Sequence, residues 1–451
     1  MNSLFFANAL LPDGWARNVT VEVDGAGRIA DVSPNKGRRA PAGQIAVPGM
    51  ANLHSHAFQR AMAGLAEWRG TASDDSFWSW RDVMYRFLQR LDPDDVRAIA
   101  SQLYVEMIET GFTAVGEFHY LHHQPDGTPY SDLAEMARQI VAAARSASIG
   151  LTLLPVYYQY GGFGGKPVGG AQSRFANDPD RFARLRDDCI SMARDNARTV
   201  VGVAPHSLRA VTPDSLAGIV SQCGGQPLHI HIAEQMREVE ECRTALGAAP
   251  VEWLLDHHAV DENWCLIHAT HMSDTETAGL AASNAVAGLC PITEANLGDG
   301  IFNGVAFRDA GGRFGIGSDS NVRVDLAEEL RMLEYSQRLR DRGRNRIAAE
   351  GMSNGRTLFD AAAFGGARAL AQPMGRIARG HWCDLVSLGA DHPALAGKRD
   401  DDWLNGWIFS GDRTCVADVW IGGNHIVQDG RHVSRAPIAA EFTRTMERLR
   451  D

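Results

Sequence analysis

The feature that most constrains the fold is a repeated alternation of short apolar runs with longer helix-like segments through the middle of the chain. Residues 93–110, 132–147 and 178–196 are examples of the helix-like segments. The apolar runs predicted as strands are residues 45–54, 113–118, 150–157, 199–204, 227–232, 265–268, 285–290 and 314–317. Eight βα units over roughly 300 residues are typical of a (β/α)8 barrel of the TIM type. An open, doubly wound sheet shows the same alternation and stays an alternative at this point.

The two ends of the chain have a different sequence pattern, that of short strands and turns, which predicts a second, smaller domain. Residues 18–23 alternate apolar and polar side chains before a glycine-containing turn. Near the other end, residues 415–421 and 425–428 flank Gly422-Gly423-Asn424, a pattern typical of a β-hairpin. We expect the two ends to pair into a small β-sandwich domain. Residues 1–47 are predicted to form the N-terminal part of the small domain, and residues 48–372 the barrel. Residues 373–451 are predicted to form the C-terminal part of the small domain and a terminal helix.

Composition limits the partners and the compartment. The net charge is −11 and no basic stripe occurs, which argues against a nucleic-acid partner. Seven widely spaced cysteines without a C-x-x-C pair indicate buried thiols in a reducing compartment. Neither a signal peptide nor an apolar run of about 18 residues is found, so we expect no membrane and a cytoplasmic location. Barrels of this size often pair, which predicts a homodimer without locating its interface.

Histidines and an aspartate stand at the ends of the predicted strands, where barrel enzymes carry their catalytic groups. His54 and His56 end the first strand, and residues two apart on an extended chain point to the same side. His231 ends the fifth strand and Asp319 follows the eighth. Three imidazoles and one carboxylate suit a single Zn²⁺ ion, and Fe²⁺ is chemically compatible as well. The sequence therefore predicts one divalent metal ion held by these four side chains.

Two of the histidines at the predicted strand ends, His231 and His268, each have a rival histidine on the same segment. His229 shares a strand face with His231, but His231 lies nearer the strand end and begins a His-x-x-Glu spacing with Glu234. His268 ends the sixth strand, whereas His271 lies further into the loop that follows. We therefore favour His231 as the metal ligand and His268 for the chemistry.

These residues permit hydrolysis of a C–N bond in an amide, an amidine or an aminated ring. A divalent ion lowers the pKa of its bound water and supplies hydroxide at neutral pH. Asp319 is predicted to accept the water proton, Glu234 to carry protons to the leaving group, and His268 to stabilise the water and the intermediate. A binuclear site with a carboxylated lysine is disfavoured, because none of the three lysines ends a middle strand. The P-C-x-x-C motif of another zinc deaminase class does not occur.

Several motifs resemble the amidohydrolase superfamily, specifically its mononuclear deaminase branch. They are Pro48-Gly49 through His54-Ser55-His56, His231-Ile-Ala-Glu234, Ile267-His268-Ala-Thr-His271, Gly317-Ser318-Asp319-Ser320 and the tail from Gly375-Arg-Ile-Ala-Arg-Gly380 through Asp384-Leu-Val. Ser318 departs from the threonine common in that superfamily, which is a minor change. Residues 54–60, 77–82, 203–209 and 318–325 are further similar to the formimidoylglutamate deiminases of bacterial histidine degradation.

The narrower resemblance implies hydrolysis of N-formimino-L-glutamate to N-formyl-L-glutamate and ammonia. It also implies that the substrate is bound by Gln59, Arg81, Tyr120, His206 and Arg209. A small anionic substrate with two carboxylates fits arginine, whose planar guanidinium pairs with a carboxylate through two hydrogen bonds. The alternatives are deamination of an aminated purine, pterin or similar ring by the same metal site, and a barrel that binds a metal or an amino acid as a sensor without catalysis.

Overall fold

The computed structural model describes residues 2–35, 40–69 and 76–450, in which strands and helices alternate between two strand-rich ends. The strands are β1 (Asn2–Leu11), β2 (Gly14–Val23), β3 (Ile29–Ser33), β4 (Gly43–Pro48), β5 (Met50–Ser55), β6 (Phe112–His119), β7 (Gly150–Tyr157), β8 (Thr199–Val201), β9 (Ala204–Pro205), β10 (Leu228–Ile232), β11 (Trp264–His268), β12 (Val286–Leu289), β13 (Arg313–Ile316), β14 (Leu385–Leu388), β15 (Val416–Ile421), β16 (Asn424–Gln428) and β17 (Arg431–His432).

The helices lie mainly between the strands of the middle segment. They are α1 (Phe77–Leu88), α2 (Pro93–Glu109), α3 (Glu135–Ala147), α4 (Pro179–Ala193), α5 (Pro213–Gln222), α6 (Met236–Leu246), α7 (Pro250–His257), α8 (Asp274–Ala282), α9 (Pro291–Leu297), α10 (Gly304–Asp309), α11 (Leu326–Asp341), α12 (Asn354–Ala369), α13 (Asp401–Ser410) and α14 (Arg435–Arg450). Short 3-10 helices span Ala57–Met62, Gly170–Arg174 and Arg413–Cys415. No helix in the described ranges is both long and apolar enough to span a membrane.

The parallel strands of the middle segment close into a barrel. Strands β5 to β8 form one sheet with β9 beside β7, and strands β10 to β13 form a second sheet. Parallel bridges Val203–Leu228 and Ser207–His231 join the two sheets on one side, and the bridge Ser55–Asp319 joins them on the other. Because β13 returns to β5, the open doubly wound sheet is ruled out and the predicted barrel is confirmed.

Both ends of the chain contribute to one further sheet of eight strands, in the order β17-β16-β15-β14-β4-β1-β2-β3. Strand β4 is its junction, since it pairs with β1 in parallel and with β14 in antiparallel orientation. Strands β15 and β16 pair antiparallel across the Gly422-Gly423 turn, which confirms the predicted hairpin. A small β domain built from both chain ends therefore accompanies the barrel, as the sequence predicts.

Two of the predicted strands are interrupted. The apolar run 45–54 divides into β4 of the small sheet and β5 of the barrel, and Gly49 lies between them. A Cβ on Gly49 would meet a hydroxyl oxygen of β6 at 2.3 Å, so only glycine fits this crossing. The run 199–204 divides into β8 and β9 at Gly202, where a Cβ would lie 2.4 Å from a backbone oxygen of Pro227. An apolar run shows that a segment is buried but not which sheet buries it.

Helix boundaries follow capping signals that are visible in the sequence. The side chain of Asp92 accepts a hydrogen bond from the backbone N–H of Asp95 at 2.9 Å, and Pro93 occupies the first turn of α2. Asp178 caps α4 in the same way, with its carboxylate 2.8 Å from the N–H of Arg181. The three helices predicted above correspond to α2, α3 and α4. All seven cysteines are buried and unpaired.

The seam between the first and last barrel strands fixes the geometry of the site. The amide of Asn52 donates to Ser318 Oγ at 2.6 Å, and its oxygen accepts the N–H of Ser318 at 3.1 Å. The backbone N–H groups of Ser318 and Asp319 both donate to the carbonyl of His54, at 3.1 and 3.0 Å. A Cβ on Gly317 would lie 2.7 Å from that carbonyl oxygen. The close approach of the two strand ends therefore brings His54 and Asp319 together.

Candidate metal centre and substrate pocket

Four buried side chains meet at the carboxyl ends of the barrel strands. His54 and His56 come from the end of β5, His231 from β10, and Asp319 from the turn after β13. Their ligand atoms all lie within 4.8 Å of one another. The Nε2 atom of His231 is 3.1 Å from Nε2 of His54 and 3.3 Å from Nε2 of His56. Asp319 Oδ1 is 3.3 and 3.2 Å from the same two histidine atoms.

The outer nitrogens of two histidines show which ring atoms are available to a ligand. Nδ1 of His56 lies 3.0 Å from the carbonyl oxygen of Phe118, and Nδ1 of His231 lies 3.0 Å from that of His206. A carbonyl only accepts, so each Nδ1 carries the proton and each Nε2 presents a lone pair. Two lone pairs that face each other at 3.3 Å repel unless a cation lies between them. The donor set therefore fits a divalent metal ion, with carbonyl groups that orient its histidine ligands.

Burial also sets the protonation states that metal binding requires. It lowers the pKa of His54 to about 3 and the pKa of His231 well below its usual value, so both rings are neutral at pH 7. Burial alone raises the pKa of Asp319, but its contacts with His54 and His56 outweigh this effect and hold that pKa well below its usual value. Neutral imidazoles and an ionised carboxylate are the metal-binding forms of these groups.

Glu234 and His268 lie beside this cluster. The Nε2 atom of His268 is 3.8 Å from Glu234 Oε1 and 3.8 Å from Asp319 Oδ2, and its Nδ1 is 3.3 Å from Glu294 Oε1. Burial lowers the pKa of His268, but these three carboxylates raise it more, and the result lies well above its usual value. Burial raises the pKa of Glu234 to about 7. A carboxyl group with this pKa can take up and release a proton near neutral pH.

The two rival histidines point elsewhere. His229 is buried on the same strand as His231, but its Nε2 lies 2.8 Å from the carbonyl oxygen of Ala369. His271 has its Nε2 2.8 Å from the carbonyl oxygen of Asp299. Each therefore has a backbone partner outside the four-residue cluster.

A cavity opens over the cluster. All five residues predicted to bind substrate line it, namely Gln59, Arg81, Tyr120, His206 and Arg209. Three members of the cluster also line it, as do the two residues beside the cluster: His56, His231, Asp319, Glu234 and His268. Much of the remaining wall is aromatic or apolar, and the sequence reasoning did not identify it: Phe77, Trp80, Met84, Tyr85, Tyr158, Phe175 and Leu297. Four of these residues belong to α1, whose motif Phe77-Trp-Ser-Trp-Arg was the available signal.

The polar wall near the metal cluster is held by direct contacts. The side-chain amide of Gln59 donates to the hydroxyl oxygen of Tyr120 at 2.7 Å, and its oxygen is buried without a partner among the described residues. The ring of His206 packs on Tyr158, with centroids 4.8 Å apart. Burial lowers the pKa of His206 well below its usual value, so this ring is neutral at pH 7. The polar wall therefore offers two groups to a ligand, the unpartnered oxygen of Gln59 as an acceptor and the neutral ring of His206.

Arg81 and Arg209 bring two positive charges to the same cavity. Within the described ranges, neither guanidinium has a carboxylate oxygen within 4.0 Å, and Arg81 Nε is buried without a hydrogen-bond partner. Burial lowers the pKa of Arg209, but the more distant carboxylates of Glu238 and Glu234, with Tyr158, raise it more. Two charged guanidinium groups with free N–H donors are suited to an anionic ligand.

Two buried glutamates near the site were not identified from the sequence. Glu117 on β6 accepts the N–H of Ala57 at 2.6 Å and the hydroxyl of Tyr104 at 3.0 Å, which anchors the 3-10 helix that carries Gln59. Burial raises the pKa of Glu117 to about 7. A carboxylate inside an apolar strand run was its only signal. Glu294 on α9 contacts His268, and no spacing in the sequence distinguishes it from a helix-surface carboxylate.

The barrel and the small domain agree with comparisons to known proteins. Residues 45–426 match the model of the amidohydrolase family, so the chain belongs to that family. Residues 1–44 match the model described as formimidoylglutamate deiminase HutF, N-terminal domain. The chain is 49% identical over 455 residues to formimidoylglutamate deiminase of Pseudomonas aeruginosa, with 100% of each chain covered. The resemblance found in the sequence is therefore confirmed, and with it the class of hydrolase.

Solved structures support the same architecture. A crystal structure of an amidohydrolase from Brucella melitensis is 51% identical and superposes with a TM-score of 0.95 over 100% of both chains. An adenosine deaminase from Xanthomonas campestris with bound zinc is 20% identical, with a TM-score of 0.82 over 99% of this chain and 98% of the other. At that identity the second comparison supports the fold alone.

Proposed function

We propose that this protein hydrolyses N-formimino-L-glutamate to N-formyl-L-glutamate and ammonia as a step of histidine degradation. The observation that carries the proposal is the presence of Arg81 and Arg209, without ion-pair partners among the described residues, in the cavity that opens over the metal cluster. The substrate has two carboxylates and a formimino group, so it matches two cations and a hydrolytic centre. The full-length similarity to the Pseudomonas aeruginosa deiminase supports the same assignment.

The proposed cofactor is one Zn²⁺ ion held by His54, His56, His231 and Asp319, and Fe²⁺ is compatible with the same ligands. Such an ion supplies the Lewis acidity that activates water near neutral pH. Three imidazoles and one carboxylate support this choice, and the zinc in the Xanthomonas campestris adenosine deaminase agrees with it.

The side chains around the cluster are proposed to move the protons. Asp319 accepts the proton of the attacking water, and Glu234 delivers protons to the nitrogen that leaves as ammonia. The pKa of Glu234, about 7, suits this transfer, since a carboxyl group with such a pKa both gains and loses a proton at neutral pH. The oxygen of the water bonds to the formimino carbon, and the Nε2–H of His268, which lies between Glu234 and Asp319, can stabilise negative charge on that oxygen in the tetrahedral intermediate. The C–N bond then breaks and ammonia leaves.

The rest of the substrate is proposed to lie along the polar wall. Arg81 and Arg209 bind its carboxylates, and Gln59, Tyr120 and His206 position the chain between them and the metal cluster. The buried oxygen of Gln59, which has no partner in the described ranges, is an acceptor for a substrate N–H.

The cellular setting is proposed from the composition of the chain. Seven buried, unpaired cysteines support a reducing, cytoplasmic location. A homodimer is proposed because barrels of this size often pair, and sedimentation analysis of the purified chain tests it. The net charge of −11 supports small molecules rather than nucleic acid as partners.

A specific observation favours the second candidate, deamination of an aminated purine, pterin or similar ring. The cavity wall contains Phe77, Trp80, Tyr85, Tyr158 and Phe175, which offer surfaces for ring stacking. A neutral ring, however, would leave two guanidinium groups desolvated and unpaired, which is unfavourable. We therefore prefer the dicarboxylate substrate.

The first prediction concerns substrate choice. We expect the purified enzyme to release ammonia from N-formimino-L-glutamate with a kcat/KM at least about 10³-fold above that for adenosine, guanine or a pterin, because buried donors left unpaired discriminate strongly. Coupled detection of ammonia measures this ratio. A higher kcat/KM on any of the rings would replace the proposed substrate, and no release from any compound would favour the sensor alternative.

The second prediction concerns the metal. Dialysis of the enzyme against a chelator is expected to remove about one ion per chain and nearly all activity, because three imidazoles and one carboxylate provide one site. Addition of Zn²⁺ or Fe²⁺ should restore turnover, and elemental analysis of the protein as isolated identifies the native ion. Full turnover after verified metal removal would contradict the proposed cofactor.

A further inference from the structure

Trp78, in the first turn of α1, has three guanidinium groups on its ring. The Cζ atoms of Arg237, Arg81 and Arg209 lie 4.3, 4.4 and 5.9 Å from the ring centroid. Arg81 follows Trp78 by three residues on the same helix face, whereas Arg209 follows β9 and Arg237 lies on α6. One indole therefore connects three separate elements of the barrel mouth.

The position of this ring relative to the cavity indicates how it acts. Arg81 and Arg209 line the cavity over the metal cluster, whereas Trp78 does not. Arg237 is largely exposed and pairs with Glu241 at 2.8 Å. Trp78 thus contacts the two cavity arginines without lining the cavity itself.

The chemistry of the ring suits two arginines that lack ion-pair partners in the described ranges. Their like charges repel, and a carboxylate that offset the repulsion would also occupy their N–H donors. The negative face of an indole attracts a guanidinium plane without accepting its N–H groups, and tryptophan does so more strongly than tyrosine or phenylalanine. Tyr85 adds a second, more distant face for Arg81, at 5.5 Å. The N–H donors therefore remain free for a ligand.

We propose that Trp78 is a positioning residue that holds Arg81 and Arg209 together as a receptor for two carboxylates, and so determines selectivity for dicarboxylates over monocarboxylates. The identity of the natural dicarboxylate rests on the proposed function. The receptor itself is independent of the reaction, so the two ideas are separately testable.

The experiment compares the metal-loaded wild type with Trp78→Leu, Trp78→Tyr and the control Trp68→Leu. Trp68 is 84% exposed, and no guanidinium lies on its ring in the described part of the chain. Calorimetry gives the Kd of glutarate and of pentanoate, which has the same carbon chain with one carboxylate. Steady-state kinetics with N-formimino-L-glutamate gives KM and kcat separately.

We expect Trp78→Leu to raise the Kd of glutarate and the KM of the substrate by about 10-fold or more, with kcat within about twofold of wild type. The Kd of pentanoate should rise less, and Trp78→Tyr should fall between Trp78→Leu and wild type. Trp68→Leu should behave as wild type. Unchanged glutarate binding in Trp78→Leu, or an equal loss for both acids, would overturn the proposal.

Two further outcomes separate the alternatives. If the wild type does not hydrolyse N-formimino-L-glutamate but Trp78→Leu still weakens glutarate binding selectively, the proposed substrate is wrong and the dicarboxylate receptor stands. If Trp78→Leu does not fold, as thermal unfolding would show, Trp78→Met and Trp78→Tyr replace it. Methionine keeps much of the volume without a π face, so the same selective loss is expected for it, and wild-type selectivity in Trp78→Met would contradict the proposal.

Discussion

Substitution of His231 by alanine is expected to remove the metal ion and to lower kcat/KM on the order of 10⁴-fold or more, since a metal ion contributes several kcal/mol to transition-state stabilisation. The ring of His231 is central to the cluster, because its Nε2 lies 3.1 Å from His54 and 3.3 Å from His56. Elemental analysis and ammonia release measure the two losses on the same preparation.

His229 provides the matched control, since it is a buried histidine two residues earlier on the same strand face. Its Nε2 is bound to the carbonyl of Ala369, so His229→Ala should retain one metal ion per chain and most of the activity. We expect this variant to unfold at a lower temperature, because a buried carbonyl loses its partner at a cost of about 1–3 kcal/mol. A stoichiometric metal ion in His231→Ala would contradict the assignment of His231 as a ligand. Loss of the ion from His229→Ala but not from His231→Ala would show that the assignment is reversed.

The barrel could be predicted because its signal is repetitive. Eight buried runs at regular spacing indicate parallel strands, and histidines at the ends of such strands must meet at one edge. His54 and Asp319 lie far apart in the sequence, yet the closing pair of strands makes them neighbours. Strand periodicity could not separate His229 from His231, since residues two apart share a face. Their contacts distinguish them in the structure, since Nε2 of His229 lies on the carbonyl oxygen of Ala369, whereas Nε2 of His231 faces His54 and His56.

The aromatic wall of the cavity could not be predicted in the same way. Phe77, Trp80 and Tyr85 belong to a helix after the first barrel strand, and their apolar spacing is equally typical of a helix packed on a core. The contact of Trp78 with Arg209 joins segments distant in the sequence, and no local pattern encodes it. Strand breaks at Gly49 and Gly202 depend likewise on the distance to a neighbouring strand.

Glu234 lies next to the cluster without belonging to it, so its replacement should separate proton transfer from metal binding. Glu234→Gln is expected to lower kcat by about 10²–10⁴-fold, because an amide of the same shape cannot carry a proton. The metal content should remain that of the wild type, since the four proposed ligands His54, His56, His231 and Asp319 are intact. Measurement of both quantities distinguishes this variant from His231→Ala, in which metal and activity should fall together.

The control for this variant is Glu240→Gln, an isosteric change of an exposed carboxylate on the following helix, which should leave kcat within about twofold of wild type. Burial raises the pKa of Glu234 to about 7, so its role depends on a protonation equilibrium near neutral pH. An amide has no such equilibrium, and a change of buffer pH should therefore not restore the lost activity. Wild-type kcat in Glu234→Gln would remove Glu234 from the mechanism and leave His268 and Asp319 as the proton carriers.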